Sequence, residues 1–319
     1  MHNMVFLDAA SMGDVDLTVL STNIPLTCYE HSTAEQVVPR LAQASIAIVN
    51  KVQLTAAMLQ QLPQLKLICV AATGVNNIDI ATASRLGISV TNVRGYADTA
   101  VPQHVMALLL QLSNKVQQYH QAARDGRWSQ SKHFCLLDYP VMELSGKNFV
   151  VVGYGALGQA SARLAQAFGM QLIIAEQPGA RSCRRGRVPF LSALALADVI
   201  SLHCPLTAQT EKLFNAPVFA AIKPGALLIN TARGGLIDET ALLDALQTGQ
   251  LGGAALDVLS QEPPPADHPL LQAGLANLII TPHMAWASAE ARQRMLLQLK
   301  SIIDAFVGGK VQNQVWPAP

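Results

Sequence analysis

The sequence predicts an α/β chain of two doubly wound parallel-sheet domains, one inserted within the other. Three observations carry this. Short apolar runs alternate with helical patterns along nearly the whole chain, as strands joined by crossover helices do. One run, Phe149 to Val152, passes at once into three glycines at G-x-G-x-x-G spacing and then into an apolar-periodic helix. The last helical pattern, Ser288 to Phe306, has no strand after it, so it must pack on a sheet built earlier. The expected division is 1–98 with 287–319 for one domain and 99–286 for the other, which suits a chain of 319 residues.

In chain order, Val5–Leu7 and Ser45–Val49 read as short strands. Between them a helix runs from Ser32 to Ala42, with Ser32 or Thr33 as its cap. Leu54–Leu62 reads as a helix stopped by Pro63. Leu67–Val70 is a buried strand entering the loop Ala71–Asn77, and Ile88–Thr91 is a further strand. Asp98 to about Tyr119 reads as one long helix with Val101, Val105, Leu108, Leu109 and Leu112 as its apolar stripe. Residues 120–145 set Trp128, Phe134, Leu136, Leu137 and Tyr139 in polar sequence. Apolar residues in so long a connection need a partner, which points to a dimer arm, the alternative being a strap on the same subunit. Strands are expected at 148–152, 171–175, 198–202, 226–230, 254–258 and 277–280. The helix that starts near Leu157 should carry Ala160, Leu164, Ala165 and Phe168 on one face.

Composition narrows the function classes. Half the residues are apolar and 13% are charged, as in a compact enzyme-like protein. The net charge of +1 gives no electrostatic case for nucleic acid. No apolar run reaches the roughly 18 residues a membrane span needs. The opening Met1-His2-Asn3-Met4 lacks the basic and apolar regions of a signal peptide. Five scattered cysteines, Cys28, Cys69, Cys135, Cys183 and Cys204, match no zinc spacing; they read as reduced thiols of a cytoplasmic protein with no metal centre.

The glycine run has a physical reading. Gly153 permits a tight turn off the strand, Gly155 lets the backbone approach a pyrophosphate, and Gly158 lets helix and strand pack closely. The helix N-terminus then offers free N–H groups to the phosphates. A second strand ends at Glu176, an acid about 20 residues on, placed to hold a ribose 2′-hydroxyl. Past it lie Arg181, Arg184, Arg185 and Arg187, which would suit a 2′-phosphate and so admit NADP. The repulsion expected between Glu176 and that phosphate favours NAD. Three further strand ends in the same half carry Arg233, Glu262 and His283. An arginine that binds a carboxylate, a histidine that moves a proton and a glutamate that orients it and favours its charged form belong together beside a nicotinamide. His104, within the long helix, reads as structural, and His203 and Cys204 as shaping a cofactor loop.

With these motifs in hand, the chain resembles the D-isomer-specific 2-hydroxyacid dehydrogenase family over nearly its whole length, from Ala72-Thr73-Gly74-Val75-Asn76-Asn77-Ile78-Asp79 to Pro282-His283. Asn92-Val93-Arg94-Gly95-Tyr96, Val101-Pro102-Gln103-His104 and His283-Met284-Ala285-Trp286 look most like the hydroxypyruvate reductase, or glycerate dehydrogenase, branch. The resemblance implies a Rossmann cofactor domain inserted in a flavodoxin-like substrate domain, with substrate between them. It implies Arg233, Glu262 and His283 as catalytic residues, and Thr73, Gly74, Val75 and Arg233 as substrate-binding. It assigns Gly153, Gly155, Ala156, Leu157 and Gly158 to the pyrophosphate, Glu176 to the adenosine ribose and Cys204-Pro205 to the adenine side. Thr231, Ala232, Asp257 and His283 take the nicotinamide half. The implied activity is NADH-linked reduction of short 2-keto acids, hydroxypyruvate to D-glycerate and glyoxylate to glycolate, by a homodimer. The alternatives are D-lactate, 2-ketogluconate or 3-phosphoglycerate oxidoreduction, or a non-catalytic NAD-sensing module that binds proteins. Arg94 departs from the family pattern near the substrate loop, Leu259 stands where an aromatic is common, and Glu176 stands for the usual aspartate.

Overall fold

The computed structural model describes residues 2–21 and 24–316. The chain divides into two compact units, Met1–Ala97 with Ala287–Pro319, and Asp98–Trp286. Each is built on a parallel sheet. Among the described residues no helix is long and apolar enough to cross a membrane.

The first unit contains β1 (Met4–Phe6), β2 (Leu26–Cys28), α1 (Ala34–Leu41), β3 (Ile46–Val49), α2 (Ala56–Leu59), β4 (Leu67–Val70), α3 (Ile80–Arg85) and β5 (Ser89–Asn92). Its strand order is β2-β1-β3-β4-β5, the flavodoxin-like order. β1, β3 and β4 are buried end to end, as parallel strands covered on both faces must be. α1 begins where Gln36 Oε1 accepts the Thr33 N–H at 3.0 Å. Two readings change. β2 was not expected: Leu26-Thr27-Cys28 is a partly exposed edge strand and shows no apolar run. The helix expected at 54–62 shrinks to α2, because Leu54 forms a parallel bridge to Ile78.

The second unit contains α4 (Ala100–Asn114), α5 (Val116–Arg124), β6 (Asn148–Val152), α6 (Ala156–Ala167), β7 (Gln171–Ile174), α7 (Phe190–Leu196) and β8 (Val199–Leu202). It continues with α8 (Ala216–Ala221), β9 (Ala226–Asn230), α9 (Glu239–Gln247), β10 (Leu251–Leu256), α10 (Pro269–Gln272) and β11 (Leu278–Ile280). α11 (Ala289–Val307), capped by Ser288, returns to the first unit and packs on β4. The second sheet runs β11-β10-β9-β8-β6-β7, every pairing parallel. Val188 adds a parallel bridge to Ala175 outside β7. Counted as a stub third strand, it completes the order of the dinucleotide-binding doubly wound fold, whose ligand crevice opens at the strand carboxyl ends where the order reverses. That point lies between β6 and β8.

Three expectations are corrected here. The long helix breaks at Lys115, which is left-handed at φ 56° and separates α4 from α5; the stripe Val101, Val105, Leu108, Leu109 and Leu112 is nevertheless buried. On α6 the buried residues are Gly158, Ala160, Ser161, Ala162 and Ala165, so Ala160 and Ala165 turn inward as expected, while Leu164 and, just past the helix, Phe168 are exposed. Small residues let α4 and α6 approach, so the large ones are displaced outward. β10 starts at Leu251 and ends before Asp257, earlier than 254–258. Its Gly252 and Gly253 interrupt the apolar pattern, and a Cβ on Gly252 would lie 2.4 Å from the Gly225 carbonyl oxygen. In the segment 120–145, Tyr139 is tied back to Tyr119 and Arg127, but Phe134 and Leu137 are 91% and 86% exposed.

Candidate active site

The carboxyl end of β6 makes the first half of the site. Gly153 has φ 97°, and a Cβ there would lie 2.4 Å from the Cys204 amide nitrogen at the end of β8. A Cβ on Gly158 would lie 2.1 Å from the Gly153 carbonyl oxygen, whereas one on Gly155 would meet nothing within 4 Å. The turn is therefore tight on two sides and open on the third, in front of the amides of Ala156 and Leu157 that begin α6. Among the described residues Thr231 Oγ1 is buried with no hydrogen-bond partner. An open glycine mouth before a helix N-terminus, with an orphaned hydroxyl on the next loop but one, fits a dinucleotide with its pyrophosphate at Gly155–Leu157.

The residues around Cys204 are chemically quiet. Burial pushes the Cys204 thiol up to about 11 and His203 down to about 4, and His203 Nε2 lies 2.9 Å from Ser201 Oγ. Both groups stay neutral, and Cys204-Pro205 serves as wall.

Glu176 is engaged by its own loop. It is 4% exposed, and its two oxygens accept from the Gln177 and Arg184 backbone N–H groups at 2.7 and 2.9 Å and from the Arg184 guanidinium. Arg187 Nη1 is 3.8 Å away. The Arg184 hydrogen bonds hold the Glu176 carboxyl far below the ordinary range. A loop closed by eight residues thus engages the acid expected to meet a ribose, which also lines the cavity along that loop.

The second half of the site stands on β9, β10 and β11, adjacent parallel strands whose carboxyl ends lie side by side. At the end of β9, buried Asn230 accepts the Ala232 N–H at 3.0 Å and donates to the Arg233 carbonyl at 2.8 Å, which fixes the turn through Thr231. Arg233 is half-buried and donates to the Ala232 carbonyl at 2.6 Å. Gly234 lets this loop lie against the next one: a Cβ there would be 1.9 Å from the Leu259 carbonyl carbon. Leu259 itself is buried in the unit's core, a packing role.

The third loop carries His283 in a left-handed conformation, φ 51°. Its N–H donates to the Asp257 carbonyl at 2.8 Å. The Asp257 carboxylate, 1% exposed, accepts from the Thr281 hydroxyl at 2.6 Å and from the Met284 and Ala285 N–H groups at 2.9 and 2.8 Å, with His104 Nε2 at 3.5 Å. Burial pushes this carboxyl up, but the hydrogen bonds from His104, Thr281, Ala285 and Met284 outweigh it and leave it below the ordinary range. Asp257, expected to face the nicotinamide, lines the cavity beside His283, and its carboxylate shapes the turn that presents that residue.

His283 Nδ1 is 2.6 Å from Glu262 Oε2, and Glu262 Oε1 accepts the Leu259 N–H at 3.0 Å. A carboxylate only accepts, so Nδ1 carries the proton and Nε2 is left for chemistry. The Glu262 loop is pinned from behind by Glu239, which accepts the Ser260 N–H and hydroxyl at 2.8 Å each and faces His268 Nε2 at 3.2 Å. A cavity of about 470 Å³ opens beside the pair, lined among others by Leu259, Glu262, Thr281 and His283. Sequence reasoning missed Asn230, Glu239, Ser260 and His268 as supports, and gave His104 no link to the site. Only Asn230, which ends a predicted strand just before Arg233, carried a local signal.

In the first unit the loop after β4 is held by Thr73 Oγ1 donating to the Val93 carbonyl at 3.0 Å and by Asn92 donating to the Thr73 carbonyl at 2.7 Å; Gly74 and Val75 are half-buried. Arg94 bonds Asn92 Oδ1 at 3.0 Å and the Gln314 carbonyl at 3.4 Å, a tie within its own unit.

Residues 106–285 match the family described as D-isomer specific 2-hydroxyacid dehydrogenase, NAD binding domain. The chain is 45% identical to a glycerate dehydrogenase of Methylorubrum extorquens, over 98% of each protein. It is 36% identical to a hydroxypyruvate reductase of Blautia hydrogenotrophica, over 95% of each. Its structure is similar to that of an NADPH-dependent glyoxylate/hydroxypyruvate reductase from Sinorhizobium meliloti in complex with NADP and malonate. There the TM-score is 0.82 and the identity 28%, over 99% of this chain and 97% of that one.

Proposed function

Because the chain belongs to the D-isomer specific 2-hydroxyacid dehydrogenase family, we propose that it reduces short 2-keto acids, hydroxypyruvate to D-glycerate and glyoxylate to glycolate. The observation that carries the chemistry is the His283–Glu262 pair at 2.6 Å, with Nε2 unspent. Gly153, Gly155, Ala156, Leu157, Gly158, Thr231 and Ala232 would hold the nicotinamide dinucleotide, which would supply the hydride that the substrate's carbonyl carbon accepts. Arg233 binds the substrate carboxylate and draws electron density onto the carbonyl oxygen. His283 delivers a proton from Nε2 to that oxygen as it becomes a hydroxyl, and Glu262 stabilises the imidazolium beforehand. Thr73, Gly74 and Val75 are assigned to the substrate carboxylate through their backbone. In the reverse direction His283 accepts the proton.

The reading extends to assembly and place. Phe134 and Leu137, bare on a segment otherwise tied down, support a homodimer arm; a monomeric mass in light scattering at micromolar concentration would refute it. Five free cysteines, two of them exposed, support a reducing, cytoplasmic setting.

The test is oxidation of NADH and NADPH against hydroxypyruvate, glyoxylate, pyruvate, 2-ketogluconate and phosphohydroxypyruvate. The reading expects the highest kcat/KM with hydroxypyruvate. A higher value for another keto acid would replace the substrate and keep the mechanism. No turnover on any, with dinucleotide still bound, would overturn the enzymatic reading.

A further inference from the structure

His104 sets a polar ring beside an apolar stripe. It lies in the second turn of α4, between the buried Val101 and Val105, on a helix that packs against β9 and β10. Its side chain is 14% exposed. A polar ring placed there costs stability unless it is hydrogen-bonded, and its contacts run to the catalytic turn. Nε2 lies 3.1 Å from Thr281 Oγ1 and 3.5 Å from Asp257 Oδ1. Thr281 has one hydroxyl proton, which goes to Asp257 Oδ1 at 2.6 Å, because a carboxylate only accepts. Thr281 Oγ1 can then only accept from the ring, so His104 Nε2 carries a proton and donates it. The direction of the chain is fixed, from His104 to Thr281 to Asp257.

The two residues joined in this way also hold His283. The His283 N–H is shared between the Asp257 carbonyl at 2.8 Å and the Thr281 carbonyl at 2.9 Å, and the residue sits between them in its left-handed conformation, φ 51°. We propose that His104 is a positioning residue for His283: by donating to Thr281 it locks the Thr281–Asp257 pair, and that pair aims the His283 imidazole at Glu262. The inference rests on the proposed role of His283 as proton donor. Without the His104 donor, the Thr281 hydroxyl is free to rotate away from Asp257, whose carboxylate then keeps only the Met284 and Ala285 N–H groups. The role asks for a neutral donor at the position of Nε2 and not for a charge. A glutamine amide reaches about as far from the backbone and can fill it; a leucine cannot.

The test compares His104→Leu, His104→Gln, Thr281→Val and the His104→Leu/Thr281→Val double variant, each as the full chain. His104→Leu and Thr281→Val should lower kcat with hydroxypyruvate at least about tenfold while the dinucleotide Kd, read by calorimetry, stays within about twofold. His104→Gln should keep kcat within about threefold of wild type. The double variant should be no slower than either single one, because both changes cut the same chain. In nuclear magnetic resonance spectra of protein carrying isotope-labelled histidine, the His283 Nδ1–H signal, assigned with His283→Ala, should move in His104→Leu and Thr281→Val and hold its place in His104→Gln. A lowered Tm with wild-type kcat and an unmoved His283 signal, or losses that add in the double variant, would overturn the proposal. If His104→Leu does not fold, the other two single variants decide: full activity in Thr281→Val, or a tenfold loss in His104→Gln, overturns it equally. A wild type that turns over no keto acid would sink the enzymatic reading, and the His283 signal would still decide this one.

Discussion

Replacing Asp257 by asparagine separates two roles for a buried carboxylate: holding the catalytic turn, or touching the nicotinamide. The side chain keeps its shape, but one oxygen becomes an NH₂. With its remaining oxygen toward Thr281 and Met284, the new NH₂ confronts the Ala285 N–H, two donors face to face in a dry site. An unsatisfied buried donor costs about 1–3 kcal/mol, and exchanging a charged acceptor for a neutral one weakens each surviving bond by about 1 kcal/mol. The sum is about 3–5 kcal/mol. At about 2–4 °C per kcal/mol for a unit of this size, Tm should fall by roughly 6–20 °C. His283 loses the support of its left-handed turn, so kcat should drop at least about tenfold while the Kd for dinucleotide changes little. The pH dependence has a definite sign. The folded carboxyl sits below its ordinary value, so its stabilisation is complete above about pH 4 and is lost as pH falls through the lower folded value. Calorimetric melts should show a constant gap between wild type and variant near neutrality that narrows below about pH 4. A variant with wild-type Tm and kcat, or one whose main defect is weakened dinucleotide binding, would refute the role in holding the turn.

Three other outcomes follow from the same geometry. Gly234→Ala places a Cβ 1.9 Å from the Leu259 carbonyl carbon and forces the Arg233 and Glu262 loops apart. Its kcat/KM should fall at least about tenfold with a lowered Tm, and an unchanged enzyme would show that the loops need not touch. Arg233→Lys keeps the charge but loses the two-pronged grip on a carboxylate; KM for the keto acid should rise about tenfold or more with dinucleotide Kd unchanged, as read by steady-state kinetics and calorimetry. With its thiol pushed up to about 11, Cys204 should resist iodoacetamide at neutral pH long after exposed Cys183 is labelled, and mass spectrometry showing the reverse order would contradict the quiet wall described for it.

What the sequence made legible was local. Glycine spacing reports turn geometry directly, so the β6–Gly153–α6 unit and the strand ends bearing Arg233 and His283 could be read from residue order. What escaped depended on partners distant in the chain or on absent side chains. The edge strand β2 has no apolar run because two of its three residues are exposed, and β10 is masked by two glycines needed for close backbone packing. Asp257 follows a strand whether its carboxylate turns in or out, and nothing local says that Thr281 and Ala285 will claim it. The arginines after Glu176 were visible as charge, but their capture of the acid depends on how the loop closes. His104, lying on an apolar helix, shows its connection only once α4 meets the loop after β11.

The central claim is that His283 delivers the proton. Hydroxypyruvate reduction measured against pH for wild type and His283→Ala tests it most directly. Wild type should lose kcat/KM toward alkaline pH, because the reduction consumes a proton. The variant should be slower by about two to four orders of magnitude and lack that fall, with dinucleotide binding intact. A variant that retains wild-type rates, or one with the same alkaline decline, would show that another group supplies the proton.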